Sequence, residues 1–216
     1  TEPYFMGMPI AAGVDVFATK SDNSNTSSYE STNIGGALRT GFKLDEYSSL
    51  NFRYTLAYRK VDGIDVASAS PAIIAQEGST IKSSVGATYT WDDLDNPTRP
   101  TLGFRGQLES EIAGLGGDTY YGRVEAHGWY FFPLYEESIV LKLEGNAGHI
   151  EAFNGKDVPL QDRFFKGADT FRGFAQSGVG PRQVGNDGGT DAIGAQSYAI
   201  ATAELTFPVG LPEQWG

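Results

Sequence analysis

Asn51-Phe52-Arg53-Tyr54-Thr55-Leu56-Ala57-Tyr58-Arg59 alternates without a break. Phe52, Tyr54, Leu56 and Tyr58 share one face; Asn51, Arg53, Thr55, Ala57 and Arg59 share the other. Successive side chains of extended backbone point to opposite sides, so a period of two identifies a strand. Seven more segments read the same way, near 9–19, 32–44, 81–92, 102–113, 119–132, 138–149 and 196–208. In the first, Ile10, Ala12, Val14, Val16 and Ala18 oppose Ala11, Gly13, Asp15 and Thr19. In the last, Ala199, Ala201, Ala203, Leu205 and Phe207 oppose Thr202, Glu204 and Thr206. No stretch gives a 3.6-residue pattern.

The connections alternate as well. Residues 44–47, 92–101 and 133–137 carry turn chemistry, including Asn96-Pro97 and Arg99-Pro100. Between them run longer polar stretches at 20–31 and 61–80, then one at about 150–195; 113–118 is short. Long strands with short turns at one end and long loops at the other are the pattern of an outer-membrane barrel. Aromatics near strand ends, among them Tyr4, Phe5, Tyr47, Tyr89, Trp91, Tyr120, Tyr130, Phe132 and Trp215, suit the two interfacial girdles. A soluble sandwich shows the same alternation, but its strands are shorter, about 5–6 residues. The polar face carries both signs of charge: Arg53, Arg59, Arg105, Glu109, Glu111, Arg123, Glu125, Lys142 and Glu144. The fold class expected is all-β, an antiparallel transmembrane β-barrel with about eight strands present.

Composition agrees. The 216 residues include 28 Gly, 13 Phe, 11 Tyr and 3 Trp, and 40% are hydrophobic, which argues against disorder. No apolar run approaches the ~20 residues of a membrane-spanning helix. A net charge of -11 argues against a nucleic-acid partner. The absence of cysteine rules out a disulfide framework and thiolate metal sites, and it fits a periplasmic route. Thr1-Glu2-Pro3 shows neither the charged nor the apolar region of a signal peptide.

Within the longest loop, Phe164-Phe165-Lys166-Gly167-Ala168-Asp169-Thr170-Phe171-Arg172-Gly173-Phe174 runs into Gly178-Val179-Gly180-Pro181-Arg182. This resembles the sixth extracellular loop of the BamA family of outer-membrane assembly factors, with its Arg-Gly-Phe/Tyr motif. Three more stretches resemble the family in the same order. They are Glu2-Pro3-Tyr4-Phe5, then Trp91-Asp92-Asp93-Leu94-Asp95-Asn96-Pro97 leading to Pro100-Thr101-Leu102-Gly103, then Ala203-Glu204-Leu205 with Phe207-Pro208.

The resemblance implies a sixteen-stranded barrel preceded by periplasmic POTRA domains. Residues 1–216 would then be one fragment of it, from the end of the fourth strand through the twelfth, with a lid loop at about 150–195. It implies a non-enzymatic role in folding and inserting β-barrel proteins into the bacterial outer membrane. The partners implied are membrane lipid, nascent barrel proteins and, through the periplasmic domains, lipoprotein subunits. No cofactor or metal is implied. Phe171, Arg172, Gly173 and Phe174 would form the lid motif, with Glu204 on the inner wall as partner of the Arg172 guanidinium. Gly173 suits positive φ or a close approach, and Phe171 and Phe174 would pack around the arginine stem. Alternatives are a TamA-like factor, a two-partner secretion transporter, or a porin-type channel. Eight strands leave two open edges, and unsatisfied edge groups are costly in lipid, so closure into a small barrel, with the loop pushed outward, is expected over pairing with a second copy or an open sheet.

Catalytic chemistry finds little support. His127 and His149 are the two histidines. His127 lies on the polar face near Glu125, and Ser138 and Ser177 lack a nucleophile-elbow context. Glu109 and Glu111 sit beside Arg105 and Arg123, which suggests charge balance instead of acid–base work. Gly185-Asn186-Asp187-Gly188-Gly189-Thr190-Asp191 has the flavour of a calcium-binding repeat, but one copy cannot stack, and a flexible loop is expected there. Asp92, Asp93 and Asp95 read as turn formers.

Overall fold

The computed structural model describes residues 10–135, 138–168 and 170–208, so Glu2 to Phe5, Asp169 and Trp215 lie outside it. Eight strands form the main sheet: β1 (Ile10–Asp22), β2 (Glu30–Lys43), β3 (Ser48–Asp62), β4 (Gly78–Asp92), β5 (Gly103–Ala113), β6 (Tyr121–Tyr135), β7 (Ile139–Ala152) and β10 (Ser197–Thr206). Short helices α1 (Ser24–Ser27) and α2 (Pro71–Ile74) sit in the first two long loops. The longest loop holds a 3-10 turn (Leu160–Asp162) and the small hairpin of β8 (Arg182–Val184) and β9 (Thr190–Ala192). The main sheet is antiparallel throughout, in the order β1-β2-β3-β4-β5-β6-β7-β10. Among the described residues, no helix is long and apolar enough to cross a membrane.

Every strand read from alternation is present, and several run further than the alternation does. β1 and β2 pair up to Asp22 opposite Glu30, and β2 and β3 up to Glu30 opposite Asp62. There Thr19 to Asp22 and Glu30 to Asn33 are polar on both faces, so the backbone stays extended while the sequence loses its period. At the other end, Asp45 accepts hydrogen bonds from the backbone N–H groups of Tyr47 and Ser48 (2.8 Å each). Asp95 accepts from Thr101 and Leu102, and Asp93 from Phe104. These aspartates are turn formers, as their spacing suggested. Pro133, which cannot donate to a ladder, sits where β6 slips register against β7.

The two faces are unlike. Val14, Val16, Ile34, Leu38, Phe52, Leu56, Val85, Leu108, Ile112, Leu143 and Leu205 stand in the open on one of them. So much exposed apolar surface calls for a bilayer to cover it. Tyr47 stacks on Trp91 at the short-turn end (5.8 Å between ring centroids), and Tyr120 meets Phe153 edge-on at the long-loop end (6.1 Å). The other face carries the charged residues and receives the long loop.

Closure into a small barrel is not what forms. Among the described residues β1 and β10 do not pair, and the sheet stays open at both edges. The loop is not displaced outward either; it lies on the polar face, occupying the space that eight-strand closure would need.

Candidate functional site

The loop that leaves β7 at Ala152 returns to the inner wall at Asp162. Asp162 meets Arg59 of β3 (Nη1–Oδ2, 2.8 Å) and Lys82 of β4 (3.4 Å), and accepts a hydrogen bond from the Tyr121 hydroxyl of β6 (2.9 Å). The Arg59 and Asp162 side chains are only 6% and 4% exposed. Lys82 also pairs with Glu111 of β5 (2.7 Å), which accepts from Ser84 (2.7 Å). Tyr121 Oη lies 3.1 Å from Glu111 as well, so its one proton serves either carboxylate. Burial works against charge on Asp162, but Arg59 and Lys82 outweigh it and hold its carboxyl below the usual range. One loop carboxylate thus ties three strands together.

A second contact follows at once. The Phe164 ring packs edge-on against Tyr198 of β10 (4.7 Å) and beneath the Arg123 guanidinium of β6 (4.7 Å). Arg123 pairs with Glu125, which accepts from the Tyr198 hydroxyl (2.8 Å). Lys166 Nζ lies 3.8 Å from the Tyr198 ring centroid, and burial pushes its ammonium downward in pKa. Gly148 makes room for all of this, since a Cβ there would stand 2.5 Å from the Tyr198 ring and 2.9 Å from Phe164.

The far end of the loop is fastened to the other long loops. Asp191 is buried, accepting from Ser28 Oγ and from the Ser70 backbone N–H (2.7 Å each). Ser27 Oγ donates to Ala192 O (2.9 Å), and Asn186 donates to Val66 O (2.8 Å). Beneath these bonds Tyr29, Val61, Ala69, Ile73 and Leu160 form an apolar cluster. The glycine-rich 185–191 stretch, expected as a flexible loop, is therefore the turn and second strand of the β8–β9 hairpin, with Asp191 as its anchor.

The residues of the expected motif lie between these two fastenings. Phe171 N–H donates to Gly167 O, and Gly173 has φ of +91°, which favours glycine. Phe171 and Phe174 pack edge-on against each other (5.8 Å), and Phe174 is 55% exposed. Arg172 is exposed. Glu204, on the polar face, lies 3.9 Å from Lys142, too long for a hydrogen bond. Among the described residues no ion pair joins Arg172 to Glu204. What the structure does bring together, Asp162 with Arg59, Lys82 and Tyr121, did not emerge from the motif. The available signal was Arg59, a cation on the polar face of a strand that carries no acid on that face.

His127 sits against Asn146 (2.7 Å), which donates to Glu144 (2.9 Å). His149 meets Ser197 across β7 and β10 (2.7 Å). Among the described residues no three His, Cys, Asp or Glu side chains cluster as metal ligands would.

The chain is similar to known proteins in sequence and in fold. The profile of the Omp85 superfamily domain matches residues 1–215. The outer membrane protein assembly factor BamA of Neorickettsia risticii is 30% identical over 94% of the chain and 27% of its own length. BamA of Neisseria meningitidis serogroup B is 24% identical over 97% of the chain and 28% of its own length. A SAM50-like protein of Drosophila melanogaster is 30% identical over 88% of the chain and 42% of its own length. The chain thus spans less than half the length of each of these relatives. The crystal structure of Haemophilus ducreyi BamA lacking POTRA domains 1–3 superposes with a TM-score of 0.87, covering 99% of this chain and 45% of that one at 20% identity. That likeness extends to the fold.

Proposed function

We propose, from the premise that the chain belongs to the Omp85 superfamily, that it forms the middle of an outer-membrane barrel that folds and inserts other β-barrel proteins. The role is non-enzymatic. The observation that carries it is the long loop fastened along the polar face through Asp162, which covers part of the face that would line the barrel interior. The relatives named as outer membrane protein assembly factors support the reading.

In this reading residues 1–216 are one fragment of the barrel, and the 150–195 region is its lid. Phe171, Arg172, Gly173 and Phe174 form the lid motif, with Glu204 as its wall partner in the complete lumen. Arg172 is exposed, and the nearest cation to Glu204, Lys142 at 3.9 Å, lies beyond hydrogen-bond reach, which leaves the Glu204 carboxylate open to a guanidinium. Membrane lipid covers the apolar face; nascent barrel proteins are the clients. Lipoprotein subunits join through periplasmic domains. The setting proposed is the bacterial outer membrane, and the SAM50-like relatives favour a eukaryotic setting as the second reading.

The test is reconstitution of the full-length parent in liposomes, with insertion of a nascent barrel protein followed by its heat-modifiable gel mobility. Insertion above the protein-free rate is expected, slowed by Arg172→Glu and restored when Glu204→Arg is added. Stable ohmic steps in planar bilayers without any insertion would overturn the reading in favour of a passive channel.

A further inference from the structure

The lipid-facing side is not apolar throughout. Strand parity places Ser110 of β5, Val124 of β6, His149 of β7 and Ser197 of β10 in one outward row. Ile112, Gly122 and Glu151 form the next row toward the long loops. Gly122 leaves a gap in that row, where a Cβ would meet nothing within 4 Å. The gap lies in a groove of about 510 Å³ lined by Ile112, Val124, His149, Glu151 and Phe153. Phe153 belongs to the aromatic pair with Tyr120 at the long-loop end, which sets the groove at the headgroup level of that leaflet.

A carboxylate in this groove lacks the partner that its counterparts have. At the long-loop end of β1 to β3 the outward carboxylates Glu30 and Asp62 are met by ammonium groups of the protein, Lys20 (2.5 Å) and Lys60 (2.6 Å). Glu151 has no such lysine. Among the described residues the one basic group within 4 Å of its carboxylate is His149 Nε2, at 3.8 Å, too far for a hydrogen bond. The Glu151 side chain is 82% exposed, on a face that a bilayer covers. The His149 ring is held from its other side, with Nδ1 2.7 Å from Ser197 Oγ. When the Ser197 hydroxyl donates there, Nε2 carries the ring proton and presents an N–H donor beside the carboxylate.

We propose that the groove seats the headgroup of one zwitterionic phospholipid bearing a primary ammonium. The ammonium donates to Glu151, as Lys20 and Lys60 do to their carboxylates, and a phosphate oxygen accepts from His149 Nε2. An anionic headgroup would bring its phosphate to the carboxylate with no cation between them, so the ammonium is what the site selects. One acyl chain then runs toward the midplane over Ala126, Gly128, Gly145 and Ala147, which line a second, shallower groove along the same two strands. The site depends on a bilayer covering this face, as the proposed role requires, and not on insertion activity itself.

The test places the full-length parent in vesicles of equal parts phosphatidylethanolamine and phosphatidylglycerol, with a photoreactive diazirine in the acyl chain of one lipid or the other. Adducts are mapped by peptide mass spectrometry, and heat-modifiable gel mobility checks that each variant is folded. The ethanolamine lipid should label residues 122–128 and 145–151 about fivefold over the glycerol lipid, the scale of one interfacial ion pair. Residues 50–58 on β3 should be labelled without preference. Glu151→Gln should abolish the preference, and Glu151→Lys should reverse it toward the anionic lipid. Gly122→Leu, which fills the gap, should lower labelling there by both lipids. Equal labelling by the two lipids in the native chain, or a preference that survives Glu151→Lys, would overturn the proposal. Labelling by neither lipid on any outward strand face would overturn the bilayer-facing assignment as well.

Discussion

Asp162 and Arg59 face each other at 2.8 Å, one on the long loop and one on β3, both almost wholly buried. A buried pair is weak evidence of net stabilisation, because each ion has lost its water. Breaking it from one side is another matter. Asp162→Asn leaves Arg59 and Lys82 without their shared carboxylate, and the loop is expected to lose about 3–5 kcal/mol of attachment. Limited proteolysis of the membrane-embedded parent should then cut within 153–196. The double variant Asp162→Leu with Arg59→Met should regain much of the protection, since neither charge remains.

The same carboxylate sets a pH dependence. Burial opposes its charge, yet Arg59 and Lys82 prevail, so its native pKa lies below the ordinary value of about 3.9. The native state therefore binds fewer protons than the released one, and attachment is at full strength above about pH 5. It weakens as pH falls through the depressed native value, below roughly 4. Hydrogen exchange of amides 160–166, corrected for intrinsic rates, should stay flat from pH 8 to 5 and rise in the acid range.

Gly148 and Gly145 separate packing from strand propensity. A Cβ at Gly148 meets Tyr198, Phe164 and Glu125 within 3.1 Å, whereas one at Gly145 meets nothing within 4 Å. Gly148→Ala should cost about 1–3 kcal/mol through overpacking and loosen the loop. Gly145→Ala should leave both the denaturation midpoint and protease protection unchanged.

Orientation in the bilayer can be tested on single strands. Leu56→Arg places a charge on the apolar face and should cost about 2–4 kcal/mol of folding into lipid vesicles if it lies near the midplane. Thr202→Arg places the same side chain on the polar face opposite Glu144 and should fold with little penalty. Equal penalties would mean that the faces are misassigned.

Asp191 offers a test of the outer fastening. Asp191→Ala removes the acceptor of the half-buried Ser28 hydroxyl and strands the buried Ser70 N–H, which costs about 1–3 kcal/mol when unpaired. Residues 63–77 and 182–192 should then become protease-sensitive together, because one carboxylate holds both.

The alternation of 51–59 was enough to fix strand, face and orientation, because a period of two is a local property of extended backbone and a two-sided environment writes it into each strand separately. Turn aspartates such as Asp45 and Asp95 were legible for the same reason: their bonds close within a few residues. Strand ends such as Asp22 opposite Glu30 were not, since polar side chains on both faces leave no alternation to read. The Arg-Gly-Phe stretch identified the loop yet did not locate its anchor. Asp162 reaches Arg59, Lys82 and Tyr121 from three different strands, and no spacing along the chain encodes that meeting. By itself, then, the sequence determined eight strands with one apolar and one charged face, in order, and the family loop between the last two. Only the tertiary structure decided that the sheet stays open and that a single loop carboxylate ties the wall together. Alternation depends on each residue's neighbours in sequence, while a buried ion pair depends on which distant side chains share one space with no water to replace either.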